Sequence, residues 1–323
     1  MQTVATEQSV QDHLGVPLAW LRDGRQRDFP LYLRMAGNRL VLFCDSGESL
    51  TSLHLSRLSQ HEVDTLYVRL SDAGMLDEYL SQELTRIVAN PRISTHEKAQ
   101  VVYRCSLRAV TKVFDDPRAE TISECRDVVG KMAHATLRHP GLDRVLLRIT
   151  RHDRYTYDHS VNVGIFGTVL AKDWFGADSG LLSSLAGAYF LHDVGKCRIP
   201  LDVLNKPGPL DPEEREIIQQ HPLLGFEILS ETDHVNEETA IAVLQHHERA
   251  DGSGYPHGLP EEAIHDFAKV VAIADVFDAL TTDRPYRKAL STYRALAIIR
   301  DEMYREFPAA FFRQFVMLFA DTR

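Results

Sequence analysis

The sequence predicts a two-domain protein, in which a small N-terminal α+β module is followed by an all-α helical domain. Its 323 residues exceed the usual size of one domain. Strand-like patterns occur near the N-terminus, whereas helical spacing recurs through the rest of the chain. We therefore place the module at residues 1–92 and the helical domain at residues 93–323, with a hinge between Asn90 and Thr95. In an alternative arrangement, the helices of residues 96–138 form a connector.

The module is predicted from short apolar and alternating runs. Two of its strands flank Ala36-Gly37-Asn38, a short turn that is typical of a β-hairpin. Asn90-Pro91 ends its last helix, because the residue before a proline disfavours the helical conformation. The strands are expected at residues 31–35, 39–43 and 65–70, and the helices at residues 52–60 and 75–89.

The second domain is predicted to be all-α, because apolar residues recur there at helical spacing and strand patterns fade. The expected helices cover residues 96–114, 118–138, 141–150, 156–172, 178–192, 211–230 and 236–247.

The composition is that of a folded globular protein, with 44% hydrophobic and 25% charged residues. A net charge of −10 would repel a nucleic-acid backbone, so we expect no polymeric nucleic acid as a partner. The chain has neither a signal-peptide pattern nor an apolar run of membrane-spanning length, so we expect no membrane insertion. Its four cysteines form no Cys-x-x-Cys pair, which favours a cytoplasmic location.

The most distinctive local motif is Leu191-His192-Asp193-Val194-Gly195-Lys196, which follows an apolar helical run. The plain structural alternative is a helix that ends in polar residues with a C-terminal glycine. Other segments also offer metal-ligand side chains, and their succession along apolar helices is hard to explain by packing alone. These segments are Asp158-His159-Ser160, His221-Pro222, His246-His247-Glu248 and Ala274-Asp275-Val276-Phe277.

Imidazole and carboxylate side chains together suit first-row divalent ions such as iron and manganese. We expect Asp193 to be the bridging ligand, because a carboxylate can bind two ions at once. Adjacent helical residues point about 100° apart, so the doublets His192-Asp193 and His246-His247 can each serve two positions at one site. The sequence therefore predicts a centre that holds two divalent metal ions.

Two such ions would activate a bridging hydroxide for attack on phosphorus, so hydrolysis of a phosphate ester is the expected reaction. Asp193 and Lys196 are the predicted catalytic residues. If the helix persists, Lys196 lies one turn after His192, where its ammonium would stabilise a phosphoryl oxygen or the departing alkoxide. A solvated helix end is the alternative interpretation of Lys196.

These residues resemble a known family. His192-Asp193 is similar to the signature of the HD phosphohydrolases. Gly254-Tyr255-Pro256 resembles the mark of the HD-GYP branch, whose members hydrolyse the bacterial messenger cyclic di-GMP. The resemblance covers about residues 145–310. Further matching motifs are YTYDHS from Tyr155, LNKPG from Leu204, QHHERADGSGYP from Gln245 and IADVFDALTTDRPYRKA from Ile273.

The resemblance implies a helical domain of the HD type, and it assigns roles to individual residues. Lys196 matches the lysine of the family motif, and Tyr255 would stack on the ligand or form a hydrogen bond with it. Arg284 and Arg287 would grip phosphate, and Asp278 joins these substrate-binding residues as an orienting group. The implied metal ligands are His159, His192, Asp193, His221, His246, His247 and Asp275.

The number of metal ions depends on one departure from the family pattern. Some relatives resemble a three-metal design, with a glutamate one helical turn before the first histidine. This sequence has Tyr155 at that position. We therefore predict two divalent ions per chain, either iron or manganese.

Three functions stay open at this point. They are a phosphodiesterase that converts cyclic di-GMP to pGpG, GMP or both, an HD phosphohydrolase for another nucleotide, and a noncatalytic receptor of cyclic di-GMP. The complete ligand set with Lys196 favours catalysis, and Tyr255 with the two arginines favours the messenger. Residues 1–92 have no ligand cluster, so we interpret them as a sensor, a regulatory module or a dimerisation element, with a homodimer as one outcome.

Overall fold

A small antiparallel sheet near the N-terminus is followed by a series of helices, as the sequence predicts. Backbone contacts divide the chain into two compact units, Met1–Val101 and Val102–Arg323. The expected domain boundary near residue 92 stays a prediction. The computed structural model describes residues 12–150, 158–176, 178–232, 236–283 and 287–320, except for the side chain of Glu238.

The first unit contains a four-stranded antiparallel sheet with the strand order β1-β4-β2-β3. The predicted hairpin is confirmed: β2 and β3 pair across the turn Ala36–Asn38, in which Gly37 has a φ of 77°. Such a positive φ is readily adopted by glycine. The elements are β1 (His13–Pro17), β2 (Leu31–Arg34), β3 (Leu40–Cys44), β4 (Thr65–Arg69), α1 (Ser52–Gln60) and α2 (Ala73–Ala89).

Strand β1 was missed by the sequence analysis. Gly15 and Pro17 are weak strand formers, and they interrupt the alternation that would have marked this segment. The strand lies at an edge of the sheet, where a proline is tolerated because one side of the strand needs no backbone donor. The register against β4 pairs Val16 with Leu66, and both side chains are fully buried.

The helices that follow the module carry the candidate site. Helix α7 packs against α4 and α6, and α12 packs against α6. The approach of α7 to α6 depends on Gly167, where a Cβ atom would lie 2.8 Å from the ring of Tyr189. No helix among the described residues has the length and apolar character that a membrane span requires. These helices are α3 (Thr95–Asp115), α4 (Ala119–Arg138), α5 (Leu142–Ile149), α6 (Asp158–Phe175), α7 (Ser179–Phe190), α8 (Leu201–Leu204), α9 (Pro212–Ile218), α10 (His221–Ser230), α11 (Glu237–Gln245), α12 (Asp266–Thr281), α13 (Thr292–Asp301) and α14 (Ala309–Met317).

One predicted helix, residues 211–230, is divided in the structure into α9 and α10. Pro222 explains the break, because it has no N–H to donate to the carbonyl of Ile218 one turn earlier. The imidazole Nδ1 of His221 uses that carbonyl instead, at 2.8 Å. The interruption of the helix therefore orients a predicted metal ligand.

Candidate metal centre

Three histidines share one local geometry at the end of a helix. In each, the ring Nδ1 lies within hydrogen-bond distance of the backbone carbonyl three residues earlier. Because the helix ends there, this carbonyl has no N–H partner within the helix. A carbonyl only accepts, so Nδ1 donates and Nε2 keeps its lone pair for a metal ion. The pairs are His192 with Tyr189 at 2.9 Å, His221 with Ile218 at 2.8 Å and His246 with Val243 at 2.6 Å.

His159, at the start of α6, is oriented by a carboxylate. Its Nδ1 lies 2.7 Å from Oδ2 of Asp278. The side chain of Asp278 is only 2% exposed, and its Oδ1 accepts a hydrogen bond from Nδ2 of Asn162 at 3.0 Å. Since a carboxylate accepts, Nδ1 of His159 donates and its Nε2 is also available as a ligand.

The predicted ligands form two adjacent groups that meet at Asp193. Its Oδ1 lies 3.2 Å from Nε2 of His221 and 3.9 Å from Nε2 of His246. Its Oδ2 lies 3.6 Å from Nε2 of His192 and 3.7 Å from Nε2 of His159. Each oxygen therefore faces a different group. The ligand atoms lie within 4.8 Å of one another in the first group, Asp193, His221, His246 and His247, and likewise in the second, His159, His192 and Asp275.

The positions of the ring nitrogens and of the helix ends also favour divalent cations, apart from the residue types present. Nε2 of His221 and Nε2 of His246 lie 3.2 Å apart, and both rings already donate through Nδ1. Two facing lone pairs repel each other unless a cation lies beside them. Nε2 of His192 is buried and has no hydrogen-bond partner among the described residues. Helices α7, α9 and α11 also end here, and the negative ends of helix dipoles favour cations.

Protonation of the ligands follows their surroundings. Burial and the neighbouring His247 hold the pKa of His246 well below its ordinary value, and burial lowers the pKa of His247 to about 3. Burial acts to raise the pKa of Asp193, yet Lys196 and His192 hold it well below its usual range. These groups are therefore unprotonated at neutral pH, as metal binding requires.

His159 differs from the other ligands. Burial acts against its charged form, but the carboxylates of Asp275 and Asp278 raise the pKa of His159 to about 10. Nε2 of His159 lies 3.2 Å from Oδ1 of Asp275. In the absence of metal, a proton on this ring neutralises carboxylates that an ion would otherwise neutralise, so metal binding must displace that proton.

Lys196 lies in the 3₁₀ turn Val194–Arg198, because α7 ends at Phe190. The condition that the helix persists through this residue is therefore not met. The turn nevertheless directs the side chain to the centre, where Nζ donates to Oδ2 of Asp193 at 2.6 Å. Lys196 is thus an ion-paired group of the site, and a fully solvated helix end does not describe it.

The Gly-Tyr-Pro loop lies beside the first ligand group. The ring of Tyr255 stacks on His247, with centroids 4.6 Å apart and 26° between the planes. Gly254 permits this approach, because a Cβ atom there would lie 2.5 Å from both Cα of Glu248 and the carbonyl oxygen of His247. The loop therefore presents a tyrosine ring next to a candidate ligand.

Glu248 ties the loop to the histidine doublet, and the sequence analysis gave it no role. It is 2% exposed, and its two carboxylate oxygens accept from the backbone N–H of His257 at 2.8 Å and of Leu259 at 2.9 Å. The available signal was an acidic residue directly after two ligand histidines and before a glycine-rich turn.

The predicted substrate contacts are only partly tested by the geometry. Arg287 donates to the backbone carbonyls of Ala279 and Leu280 near the end of α12, so its phosphate contact stays a prediction. Arg284 lies outside the described residues, as does Tyr155.

Asp278 has the orienting position that was expected, because its buried carboxylate is directed toward the imidazole of His159, and its part in substrate binding stays a prediction. Asn162, which contacts Asp278, was missed by the sequence analysis. A single amide within the apolar run of α6 was its only signal.

Comparison with known proteins finds a family match within the helical part of the chain. Residues 175–307 match the HD domain family. A cyclic di-GMP phosphodiesterase of Pseudomonas aeruginosa is 37% identical over 211 residues, which cover 64% of this chain and 50% of that protein. A cyclic di-GMP phosphodiesterase response regulator of Xanthomonas campestris is 48% identical over 118 residues, or 36% of this chain and 31% of that protein.

Two further similarities complete the comparison. A 3'3'-cGAMP-specific phosphodiesterase of Vibrio cholerae is 34% identical over 150 residues, or 46% of this chain and 32% of that protein. The chain spans half or less of the length of these curated relatives. An HDG"Y"P protein from Bdellovibrio bacteriovorus has a similar fold, with a TM-score of 0.63 at 21% identity over 94% of this chain and 98% of that one.

The fold and the site together define a class, that of helical proteins built around a histidine and aspartate cluster able to bind metal. Within this class, residues 175–307 match the HD domain family, and the resemblance to the HD-GYP proteins is confirmed.

Proposed function

We propose that this protein is a metal-dependent phosphodiesterase that hydrolyses cyclic di-GMP. The observation that carries the proposal is the position of Asp193, whose two oxygens face two adjacent groups of ligand side chains. A pair of ions held in this way can flank one phosphate group. The relatives from Pseudomonas aeruginosa and Xanthomonas campestris, which are named cyclic di-GMP phosphodiesterases, support the choice of substrate.

Two divalent ions per chain, iron or manganese, are the proposed cofactors. Each ligand group contains imidazole and carboxylate donors, which suit these metals. When bound, such ions lower the pKa of water to supply a nucleophile near neutral pH, and they polarise a phosphoryl oxygen. A third ion has no support, since Tyr155 occupies the position of the glutamate in the three-metal design.

The protein's own side chains would bind and orient the phosphodiester. Lys196 pairs with Asp193 and would share its ammonium with a phosphoryl oxygen or the departing alkoxide. Tyr255 offers a ring next to His247 that a guanine base can stack on or a phosphate can reach through the hydroxyl. Arg284 and Arg287 remain the proposed phosphate contacts, each matched to phosphate by its planar guanidinium.

A second substrate, 3'3'-cGAMP, is favoured by one observation. The Vibrio cholerae relative at 34% identity is named for its specificity for this dinucleotide. Both dinucleotides contain phosphodiester bonds between purine nucleosides, so the metal centre would treat them alike. Discrimination between them would then come from contacts to the bases.

The test is incubation of the iron-loaded and manganese-loaded chain with cyclic di-GMP, and separately with 3'3'-cGAMP. Chromatography then resolves pGpG and GMP from the first substrate, and the linear GMP–AMP dinucleotide, GMP and AMP from the second. We expect cyclic di-GMP to be consumed faster. Asp193→Ala removes the shared ligand and should abolish turnover. Asp301→Ala is the matched control, because it removes an exposed carboxylate that pairs only with the neighbouring Arg300 among the described contacts.

The outcomes separate the candidate functions. Faster loss of 3'3'-cGAMP would assign the second substrate. Binding of cyclic di-GMP by the metal-loaded chain without any product would assign a receptor and overturn the proposal. Whether hydrolysis stops at pGpG follows from the same chromatogram.

For the N-terminal module we keep the proposal of a sensor, regulatory or dimerisation role. The homodimer and the cytoplasmic location remain predictions of the sequence.

A further inference from the structure

Behind His159 lies a row of three buried polar side chains, each from a different helix. They are Tyr103 of α3, Asn162 of α6 and Asp278 of α12, with 5%, 1% and 1% of their surface exposed. The hydroxyl of Tyr103 donates to Oδ1 of Asn162 at 3.2 Å, and Nδ2 of Asn162 donates to Oδ1 of Asp278 at 3.0 Å. The other oxygen of Asp278 reaches Nδ1 of His159 at 2.7 Å.

The direction of each hydrogen bond constrains the next. An asparagine amide has an accepting end and a donating end, and it can rotate by half a turn to exchange them. The phenol of Tyr103 donates to the amide oxygen, and the NH₂ group faces the carboxylate of Asp278, which can only accept. The carboxylate of Asp278 then accepts on both sides, and His159 must donate through Nδ1. Once the ring is neutral, as metal binding requires, the row leaves the lone pair of His159 on Nε2, toward Asp193 and Asp275.

The surroundings argue against a purely structural role for this row. The neighbours of Tyr103 and Asn162 along their helices, Val102, Val161 and Val163, are fully buried apolar residues. Burying polar groups in such a place costs free energy that apolar side chains of similar volume would avoid. A complete set of donors and acceptors that ends on a candidate metal ligand gives these residues a reason to be polar.

We propose that Tyr103 and Asn162 are positioning residues of the metal centre. Tyr103 selects the orientation of the Asn162 amide, Asn162 holds Asp278, and Asp278 presents His159 to the metal in one tautomer and one ring orientation. The inference rests on the proposed function only in taking His159 as a metal ligand. Neither residue touches the substrate.

Loss of the phenol hydroxyl has a specific consequence. Without it, the amide of Asn162 loses the donor that fixes its oxygen end, so its NH₂ group is held less firmly against the carboxylate of Asp278. Asp278 is then held less firmly, and His159 samples orientations that do not serve the ion. Groups that orient metal ligands from behind typically change affinity by about 10-fold to 100-fold. For a group two hydrogen bonds further back, we expect about threefold to tenfold.

The test compares Tyr103→Phe with Thr168→Val in the full chain. Thr168 lies on α6 with Asn162, is fully buried, and donates only to the carbonyl of Gly164 of its own helix among the described contacts. Among the described contacts, each variant loses one buried hydroxyl hydrogen bond. The affinity for Mn²⁺ is measured by competition with a chelator, and unfolding is followed by circular dichroism. We expect both variants to be destabilised similarly, and only Tyr103→Phe to bind Mn²⁺ about threefold to tenfold more weakly.

A double-mutant cycle gives the second, independent measurement. Asn162→Leu breaks the row at its middle, so we expect a larger loss of Mn²⁺ affinity, and no further loss when Tyr103→Phe is added. Equal Mn²⁺ affinities for Tyr103→Phe and Thr168→Val would overturn the proposal, as would fully additive losses in the cycle. Because the readout is metal affinity, a protein that binds Mn²⁺ normally but does not consume cyclic di-GMP would refute the proposed function and leave this inference standing.

Discussion

Replacing Gly195 by alanine tests whether the turn that carries Asp193 must lie against the helix that begins with His221. A Cβ atom at Gly195 would lie 2.5 Å from the nitrogen of Gly225, 2.9 Å from the carbonyl carbon of His221, and closer still to that carbonyl oxygen. Nonbonded carbon atoms pack at about 3.5 Å or more. The turn and α10 must therefore separate by about 1 Å.

That separation acts directly on the ligands. Oδ1 of Asp193 and Nε2 of His221 are 3.2 Å apart, and each belongs to one of the two contacting segments. Ligand distances in metal sites are maintained to within about 0.2 Å, so a shift of about 1 Å removes one of the two from the ion. We expect metal affinity to fall by about 100-fold and overpacking to cost about 1–3 kcal/mol of unfolding free energy.

The assay is elemental analysis of manganese per chain after dialysis against a weak chelator, together with thermal unfolding. Gly130→Ala is the matched control. Gly130 lies within α4, and a Cβ atom there would lie 3.5 Å from Ser183, an ordinary van der Waals distance. That variant should bind metal normally and gain about 0.4–1 kcal/mol of stability. A Gly195→Ala protein with the metal content and affinity of the unaltered chain would refute the packing argument.

Three other substitutions carry separate predictions. Lys196→Met should lower kcat for cyclic di-GMP by about 100-fold or more while metal content is retained, because the ammonium acts on developing charge. Glu248→Gln should raise KM by about tenfold at unchanged metal content, since an amide has one accepting atom for the two backbone N–H groups that now bind the carboxylate. Glu83→Gln should lower the unfolding free energy of the N-terminal module at pH 7 by about 2 kcal/mol. Burial acts to raise the pKa of Glu83, but Arg86 and Arg25 hold that pKa below its ordinary value of 4.5. The stabilisation by the Glu83 carboxylate is therefore fully present above pH 4.5, and it is lost as the pH falls through the lowered pKa.

Each of these has a distinct contradicting result. Loss of metal from the Lys196 variant would make the lysine a structural partner of Asp193, and Lys269→Met, which breaks a pair with Asp266, controls for loss of a lysine charge. An unchanged KM in the Glu248 variant would detach the loop from substrate binding. For Glu83, stability measured by urea unfolding should differ from that of the unaltered chain at pH 7 and converge with it at acidic pH. A difference that persists at acidic pH would contradict the electrostatic explanation.

The candidate metal ligands were accessible from the sequence because their residue types and neighbours are distinctive. A histidine followed by an aspartate at the end of an apolar helix, and a second histidine doublet further on, are unusual whatever the fold. The sheet hairpin was accessible for a similar reason, since Ala36-Gly37-Asn38 sets the turn between two apolar runs. Residue type and immediate neighbours were sufficient in both cases.

What the sequence did not reveal depends on contacts between distant segments. Tyr103 and Asn162 are 59 positions apart, and Asn162 and Asp278 are 116 apart, so no local pattern links them. The end of α7 before His192 was also missed, because the apolar run continues to Leu191 and gives no stop signal. The hydrogen bonds from Arg287 to the carbonyls of Ala279 and Leu280 were also not visible in the sequence, and its phosphate contact stays a prediction.

The most direct test of the metal centre is anomalous X-ray scattering from crystals of the manganese-loaded protein, recorded on both sides of the manganese edge. We expect two anomalous peaks, one in each ligand group, with Asp193 in contact with both. The groups are Asp193, His221, His246 and His247, and His159, His192 and Asp275. A single peak, or peaks at any other place in the molecule, would contradict this expectation.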